Sequence, residues 1–267
     1  MKTAAIQMDM AFADPQRNFQ RAVSLIRRAA QQQPDVILLP ETWNVGFYPK
    51  ENLPALADRD AAETKKIFAA LAKELNVNIV AGSVAAGFAD GVHNTSLAFD
   101  RAGNCVSRYD KTHLFTPMHE DDYFVKGGGI SAYAFDGFSC GTEICYDIRF
   151  PELTRTLTVK GLDFLFVVSQ WPDVRIPQLH ALLRARAIEN QLFVVCCNSC
   201  GQAPGTQFGG CSVAFDPLGE KLAGAGTEEE ILFADCDTGV LQGIRESINV
   251  FRDRREEIYF TAPPINT

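Results

Sequence analysis

The chain of 267 residues has no long hydrophobic run. Its longest, Phe164–Val168 and Leu192–Cys197, fall far short of the roughly 18 apolar residues of a membrane-spanning helix. Basic charge is also scarce: 25 Lys and Arg face 33 Asp and Glu, a net charge of −8. Phosphate backbones and anionic lipid surfaces need a basic face, so neither nucleic acid nor membrane is an expected partner. Glycine (20) and proline (13) are too few for a collagen-like or low-complexity chain. Histidine is sparse as well. His93, His113, His119 and His180 lie far apart, and His119-Glu120 lacks the second histidine of a zincin.

Several nucleotide and serine-hydrolase signatures are missing. No G-x-S-x-G elbow occurs, which argues against a serine α/β-hydrolase. Gly127–Gly129 lacks the Lys and hydroxyl of a phosphate-binding loop, and Gly224-Ala225-Gly226 lacks the third glycine of a dinucleotide fingerprint. Cys197-x-x-Cys200 has no second pair to complete a zinc site, so no metal is expected. A zinc-stabilised binding module built on Cys196–Cys200 is the competing reading. Residues Met1–Asp9 read as a short strand broken by polar residues, not as a secretory h-region. The eight cysteines are therefore expected to be free thiols in a reducing, cytoplasmic setting. There, the Asn94-Thr95-Ser96 sequon carries no meaning.

What is present is a chain with 46% hydrophobic residues, enough for a sizeable core. Asp14-Pro15 starts a helix, and apolar residues at helical spacing carry it over 15–32. A second helix is expected over 60–75, a third over 151–160 and a fourth over 177–190. Short apolar strands fall at 2–9, 35–40, 77–82, 94–99, 105–109, 137–144, 162–169, 192–198, 211–215, 221–222 and 230–235. Residues 112–131 read as loop. From about 240 the chain becomes a charged, extended tail around Pro263-Pro264. No linker or repeat divides it, so a single domain over 1–267 is expected. The alternation predicts an α/β fold with a mixed sheet, or two sheets packed between helices.

Three strand ends carry reactive residues. Cys145 ends the strand Phe138–Ile144, where a turn into a helix leaves backbone N–H groups free to hold an oxyanion. Glu41 follows Asp35–Pro40; a carboxylate beside a buried strand has its pKa raised toward the range of a general base. Lys111 follows Arg108-Tyr109-Asp110, and an ammonium there can stabilise a carboxylate, a thiolate or an oxyanion. Singly, each also fits a buried Glu41–Lys111 ion pair beside an inert thiol. Together they point to a site.

These segments, Leu39-Pro40-Glu41-Thr42 with Gly46-Phe47, Tyr109-Asp110-Lys111-Thr112-His113-Leu114, Ile144-Cys145-Tyr146-Asp147-Ile148-Arg149-Phe150-Pro151-Glu152, and Leu183–Gln191 running into Asn198, resemble the nitrilase or carbon–nitrogen hydrolase superfamily. The resemblance spans residues 1 to about 260. It implies a four-layer α-β-β-α sandwich, two mixed sheets between helices, paired into homodimers or higher homo-oligomers. It implies a thiol amidohydrolase that needs no cofactor. Carried over by motif, Cys145 is the nucleophile and Glu41 the general base. Lys111 and the Tyr146 backbone N–H hold the oxyanion, and Glu120 orients substrate and Lys111.

The Cys145–Glu152 segment and Gln170-Trp171-Pro172 with Arg175 resemble the omega-amidase branch more than true nitrilases. That branch acts on small ω-monoamides of dicarboxylates, such as 2-oxoglutaramate or 2-oxosuccinamate. Gln178-Leu179 departs from the His-Trp of that branch. Such a substrate carries a distal carboxylate, for which Arg175, then Arg149, is the expected clamp. Phe47, Tyr48 and Trp171 are the expected apolar wall. Competing substrates are deaminated glutathione-like or N-carbamoyl amides. A non-catalytic binding member is the reading from another class.

Overall fold

A computed structural model describes residues 1–259 of the chain. In chain order the elements are β1 (Lys2–Gln7), α1 (Pro15–Ala30), β2 (Val36–Leu38), α2 (Leu53–Leu56), β3 (Asp58–Arg59), α3 (Ala62–Leu75), β4 (Asn78–Phe88), β5 (Gly91–Phe99) and β6 (Cys105–Asp110). The second half adds β7 (Ala132–Phe135), β8 (Phe138–Ile144), α4 (Pro151–Thr158), β9 (Phe164–Ser169), α5 (Ile176–Asn190) and β10 (Phe193–Asn198). A small hairpin, β11 (Gln202–Ala203) and β12 (Thr206–Gln207), precedes β13 (Val213–Phe215), β14 (Lys221–Gly224), β15 (Glu230–Asp235) and α6 (Val240–Ser247).

The strands form two mixed sheets. One has the order β15-β1-β2-β4-β5-β6, with β3 beside β4; the other is β14-β13-β10-β9-β8-β7. The alternation of side chains along each strand builds the layers. Ala4, Ile6 and Ile37 face outward onto Phe19 and Ile26 of α1 and Phe68 and Leu71 of α3. Their neighbours Ala5, Val36 and Leu38 face inward onto Phe164, Phe166, Val168 and Val195 of the second sheet. Leu165, Val167 and Val194 then face out onto Leu157 of α4 and Leu179, Leu183 and Ala187 of α5. The result is the four-layer α-β-β-α sandwich. Strands β1, β2, β9 and β10 are buried on both sides, which explains the continuous apolar runs Ala4–Ile6, Val36–Leu38, Phe164–Val168 and Phe193–Cys197.

Local chemistry starts the helices as expected. The Asp14 carboxylate accepts the Arg17 N–H at 3.1 Å, and Pro15 occupies the first turn of α1. The C-terminal region differs from expectation. Instead of an extended tail from 240, α6 forms, burying Leu241 against the inter-sheet core. Arg245 ties it to Asp163 at 2.9 Å and to the Leu162 carbonyl at 2.7 Å. Pro263-Pro264 lies outside the described residues.

Candidate active site

The site forms where the inner strands of both sheets end. β2 stops at Leu38, and Leu39-Pro40-Glu41 turns off the sheet edge. That turn is pinned to β4: the Thr42 N–H donates to Ser83 Oγ at 2.9 Å and the Trp43 indole to the Ala81 carbonyl at 2.7 Å. β4 makes room through a bulge between Val80 and Ser83. Gly82 sits there at φ +61°, and a Cβ would lie 2.1 Å from the Pro40 carbonyl oxygen. Only glycine admits that approach.

Lys111 follows β6, its N–H bonded to the Asn94 carbonyl at 2.9 Å and its own carbonyl to the Gly127 N–H at 2.8 Å. The glycine run 127–129 thus seats this strand end, since a Cβ on Gly127 would meet the Asp110 carbonyl oxygen at 1.9 Å.

Cys145 stands one residue past β8 with φ +51°, the left-handed region that side chains rarely adopt. A 3-10 turn over Cys145–Arg149 follows. Buried Asp147 holds this elbow, accepting from the Ile144 N–H (3.0 Å), the Tyr109 hydroxyl (2.7 Å) and the His113 N–H (3.0 Å). His113 also bonds Asp147 through Nδ1 at 2.9 Å and stacks on Phe150. The loops bearing Lys111 and Cys145 are therefore braced through one carboxylate. The Tyr146 N–H lies in the first turn after Cys145, where no intrahelical acceptor exists.

Glu41, Lys111, Glu120 and Cys145 converge. Lys111 Nζ donates to Glu41 Oε1 at 2.8 Å and to Glu120 Oε1 and Oε2 at 2.9 and 2.8 Å. Glu120 Oε2 also accepts the Phe115 N–H at 2.6 Å. Glu120, Glu41 and Lys111 are only 3%, 4% and 2% exposed, so Glu120 is no solvated loop acid.

Burial raises the Glu41 carboxyl, opposed by the Lys111 charge. Burial would lower Lys111, but the Glu120 and Glu41 carboxylates outweigh it and hold the ammonium charged. Burial, then the Glu41 charge, pushes the Cys145 thiol well up; Lys111 and a hydrogen bond from the Gln170 backbone oppose this. Burial thus favours the neutral thiol beside Glu41. The thiol and Glu41 line the same cavity, which suits proton transfer between them.

These groups open onto one cavity of about 450 Å³. Tyr146, Phe47, Tyr48 and Trp171 line it, as do Arg149 and Arg175. The Phe47 and Tyr48 rings pack 4.3 Å apart. Arg149 lies over the Trp171 ring at 4.8 Å and Arg175 over the Phe115 ring at 5.2 Å. Neither guanidinium has a carboxylate partner among the described residues. Gln178 is exposed and Leu179 packs beneath α5, so neither forms the cavity wall.

Sequence reasoning missed two parts of the site. The β11–β12 hairpin brings Gly205, Thr206 and Gln207 to the cavity, signalled only by its Pro204-Gly205 turn. Asn94 donates through Nδ2 to Glu41 Oε1 at 2.9 Å and Glu120 Oε1 at 3.3 Å. Cys197 and Cys200, by contrast, point at the carbonyls of Ile6 and Gln7 in the facing sheet. Among the described residues no group of three or more His, Cys, Asp or Glu is placed to hold a metal ion, and no helix is long and apolar enough to cross a membrane.

The Carbon-nitrogen hydrolase family matches residues 2–246, and the chain belongs to it. It is a carbon–nitrogen hydrolase with the nitrilase-superfamily fold. It is 40% identical to the 2-oxoglutaramate amidase of Bacillus subtilis (strain 168), over 96% of this chain and 98% of that one. Saccharomyces cerevisiae Nit3, a member of branch 10 of the nitrilase superfamily, superposes with a TM-score of 0.88 at 28% identity, covering 96% of both chains. A mutant of the amidase from Nesterenkonia sp. AN1 superposes at 0.84, with 25% identity over 97% of this chain and 95% of that one. It shows covalent addition of the acetamide moiety of fluoroacetamide at its active-site cysteine.

Proposed function

We propose that the chain hydrolyses the ω-amide of small dicarboxylate monoamides of the 2-oxoglutaramate type through a thioester on Cys145. The observation that carries this reading is the meeting of Cys145 with the buried Glu41 and Lys111 on one cavity that also holds two guanidiniums without a carboxylate partner among the described residues. Similarity to the 2-oxoglutaramate amidase of Bacillus subtilis supports the choice of substrate.

The proposed steps use these groups in turn. Glu41 takes the Cys145 proton, and the thiolate attacks the amide carbon. The carbonyl oxygen becomes an oxyanion held by the Lys111 ammonium and the Tyr146 N–H; one such donor is typically worth roughly 3–4 kcal/mol in the transition state. Glu41 returns its proton to nitrogen, the C–N bond breaks and ammonia leaves. Water then gives a proton to Glu41 and attacks the thioester; the carboxylate product departs and the thiol is restored. Glu120 holds Lys111 in place. Arg175, with Arg149 beside it, takes the distal carboxylate, and Phe47, Tyr48 and Trp171 pack the short carbon chain.

Ammonia release from ω-monoamides, matched amides without a carboxylate, and nitriles tests the reading. The carboxylated amides are expected to be strongly preferred, and Cys145→Ala to release no ammonia. Arg175→Ala is expected to raise KM for carboxylated amides by roughly tenfold to a hundredfold, the loss of one charge-assisted contact, and to leave the neutral amides unchanged. Equal use of both amide classes by the unmodified enzyme would remove the substrate assignment.

A further inference from the structure

We propose that Asn94 is a positioning residue of this reaction: its amide holds the Glu41 and Glu120 carboxylates together around Lys111 and so sets the aim and basicity of Glu41. The inference rests on the reading of Glu41 as general base given above.

The buried cluster holds two carboxylates and one ammonium, so the carboxylates repel each other with a single cation between them. Asn94 supplies the neutral donors that such a cluster needs. Its Nδ2 lies 2.9 Å from Glu41 Oε1 and 3.3 Å from Glu120 Oε1, one N–H for each carboxylate. Glu41 Oε1 therefore accepts from both Asn94 and Lys111. That leaves Oε2 as the oxygen free to take the thiol proton. The backbone of Asn94 adds a second constraint, because its carbonyl fixes the Lys111 N–H at 2.9 Å.

The orientation of the amide is itself informative. Asn94 is fully buried and its Oδ1 has no partner among the described residues. Turning the amide over would set Oδ1 against two carboxylate oxygens, so the carboxylates dictate the direction. The titratable groups facing Glu41 are Lys111 after β6, Glu120 in the following 3-10 turn, Cys145 at the elbow and the Tyr48 hydroxyl after β2. His93, the neighbour of Asn94, bonds Asp90 instead.

The test is the pH profile of kcat/KM for ammonia release, with thermal unfolding recorded for each variant. Donors to a carboxylate favour its ionised form. In Asn94→Ala the acid limb is expected to move up by about one pH unit, and kcat to fall by about tenfold or more with KM little changed. Asn94→Asp, the same shape without the paired donors, is expected to move the limb in the same direction and carries the test if the alanine variant does not fold. A rate lowered by the same factor at every pH, with the limb unmoved, would overturn the positioning role while leaving the assignment of Glu41 intact. Full activity of Cys145→Ala would instead overturn the reading of the site, and this role with it.

Discussion

Two buried glutamates show how environment divides one residue type between chemistry and structure. Glu41 has an ammonium and an amide as partners. Glu143, two residues before Cys145, is also fully buried, yet among the described residues only the Thr154 hydroxyl donates to it, at 2.6 Å, and its Oε2 has no partner. Burial pushes Glu143 up to about 8 from 4.5. A carboxyl raised in the folded state favours folding fully below its unfolded value, and that contribution is lost as pH rises through the folded one. Wild-type stability is therefore expected to fall between about pH 4.5 and 8 by up to about 1.4 kcal/mol per pH unit from this group. Glu143→Gln removes the titration. Its unfolding midpoint should exceed that of wild type by a margin that widens from pH 5 to pH 8. A margin independent of pH would show that Glu143 is not held protonated.

At the scale of elements, the strand ends of the candidate site are legible because a charged or nucleophilic residue stands at or just past the end of a strand. Glu41 after β2, Lys111 after β6 and Cys145 after β8 all have that signature. Glu120 and Asn94 do not. Glu120 sits in a polar loop, and its burial comes from a contact with Lys111 across that loop. Asn94 lies inside β5, where its sequence neighbours suggest only a sequon. β4 was expected to stop near Gly82 because glycine reads as a breaker, but that residue is a bulge inside an 11-residue strand. α6 was missed because its apolar residues span barely two turns, and packing on Asp163 and Leu162 fixes it. The bulge also makes a prediction. Gly82→Ala forces a Cβ into the Pro40 carbonyl, so it is expected to lose more than about 1 kcal/mol of stability. It should also lower kcat by displacing Glu41. Denaturant unfolding and steady-state rates measure the two effects, and unchanged kcat would show that the bulge does not position the base.

At the scale of the whole molecule, two sheets packed face to face bring strand ends distant in sequence to one cavity. Glu41, Lys111 and Cys145 are far apart along the chain, yet they line one cavity. Of the eight cysteines, Cys140, Cys196, Cys197, Cys200 and Cys236 are buried thiols whose pKa burial pushes up. Cys145 alone among them has a carboxylate, an ammonium and this cavity beside it. Against a net charge of −8, the cavity is lined by three cationic side chains, Lys111, Arg149 and Arg175, and three acidic ones, Glu41, Glu120 and Asp173. The most direct test of the central claim is hydroxylamine trapping during turnover of an ω-monoamide. A Cys145 thioester predicts that the acyl hydroxamate appears at the expense of the acid in proportion to added hydroxylamine, with ammonia equal to the sum of both, and that Cys145→Ala makes neither. Ammonia and acid without any hydroxamate, or undiminished release by Cys145→Ala, would contradict it.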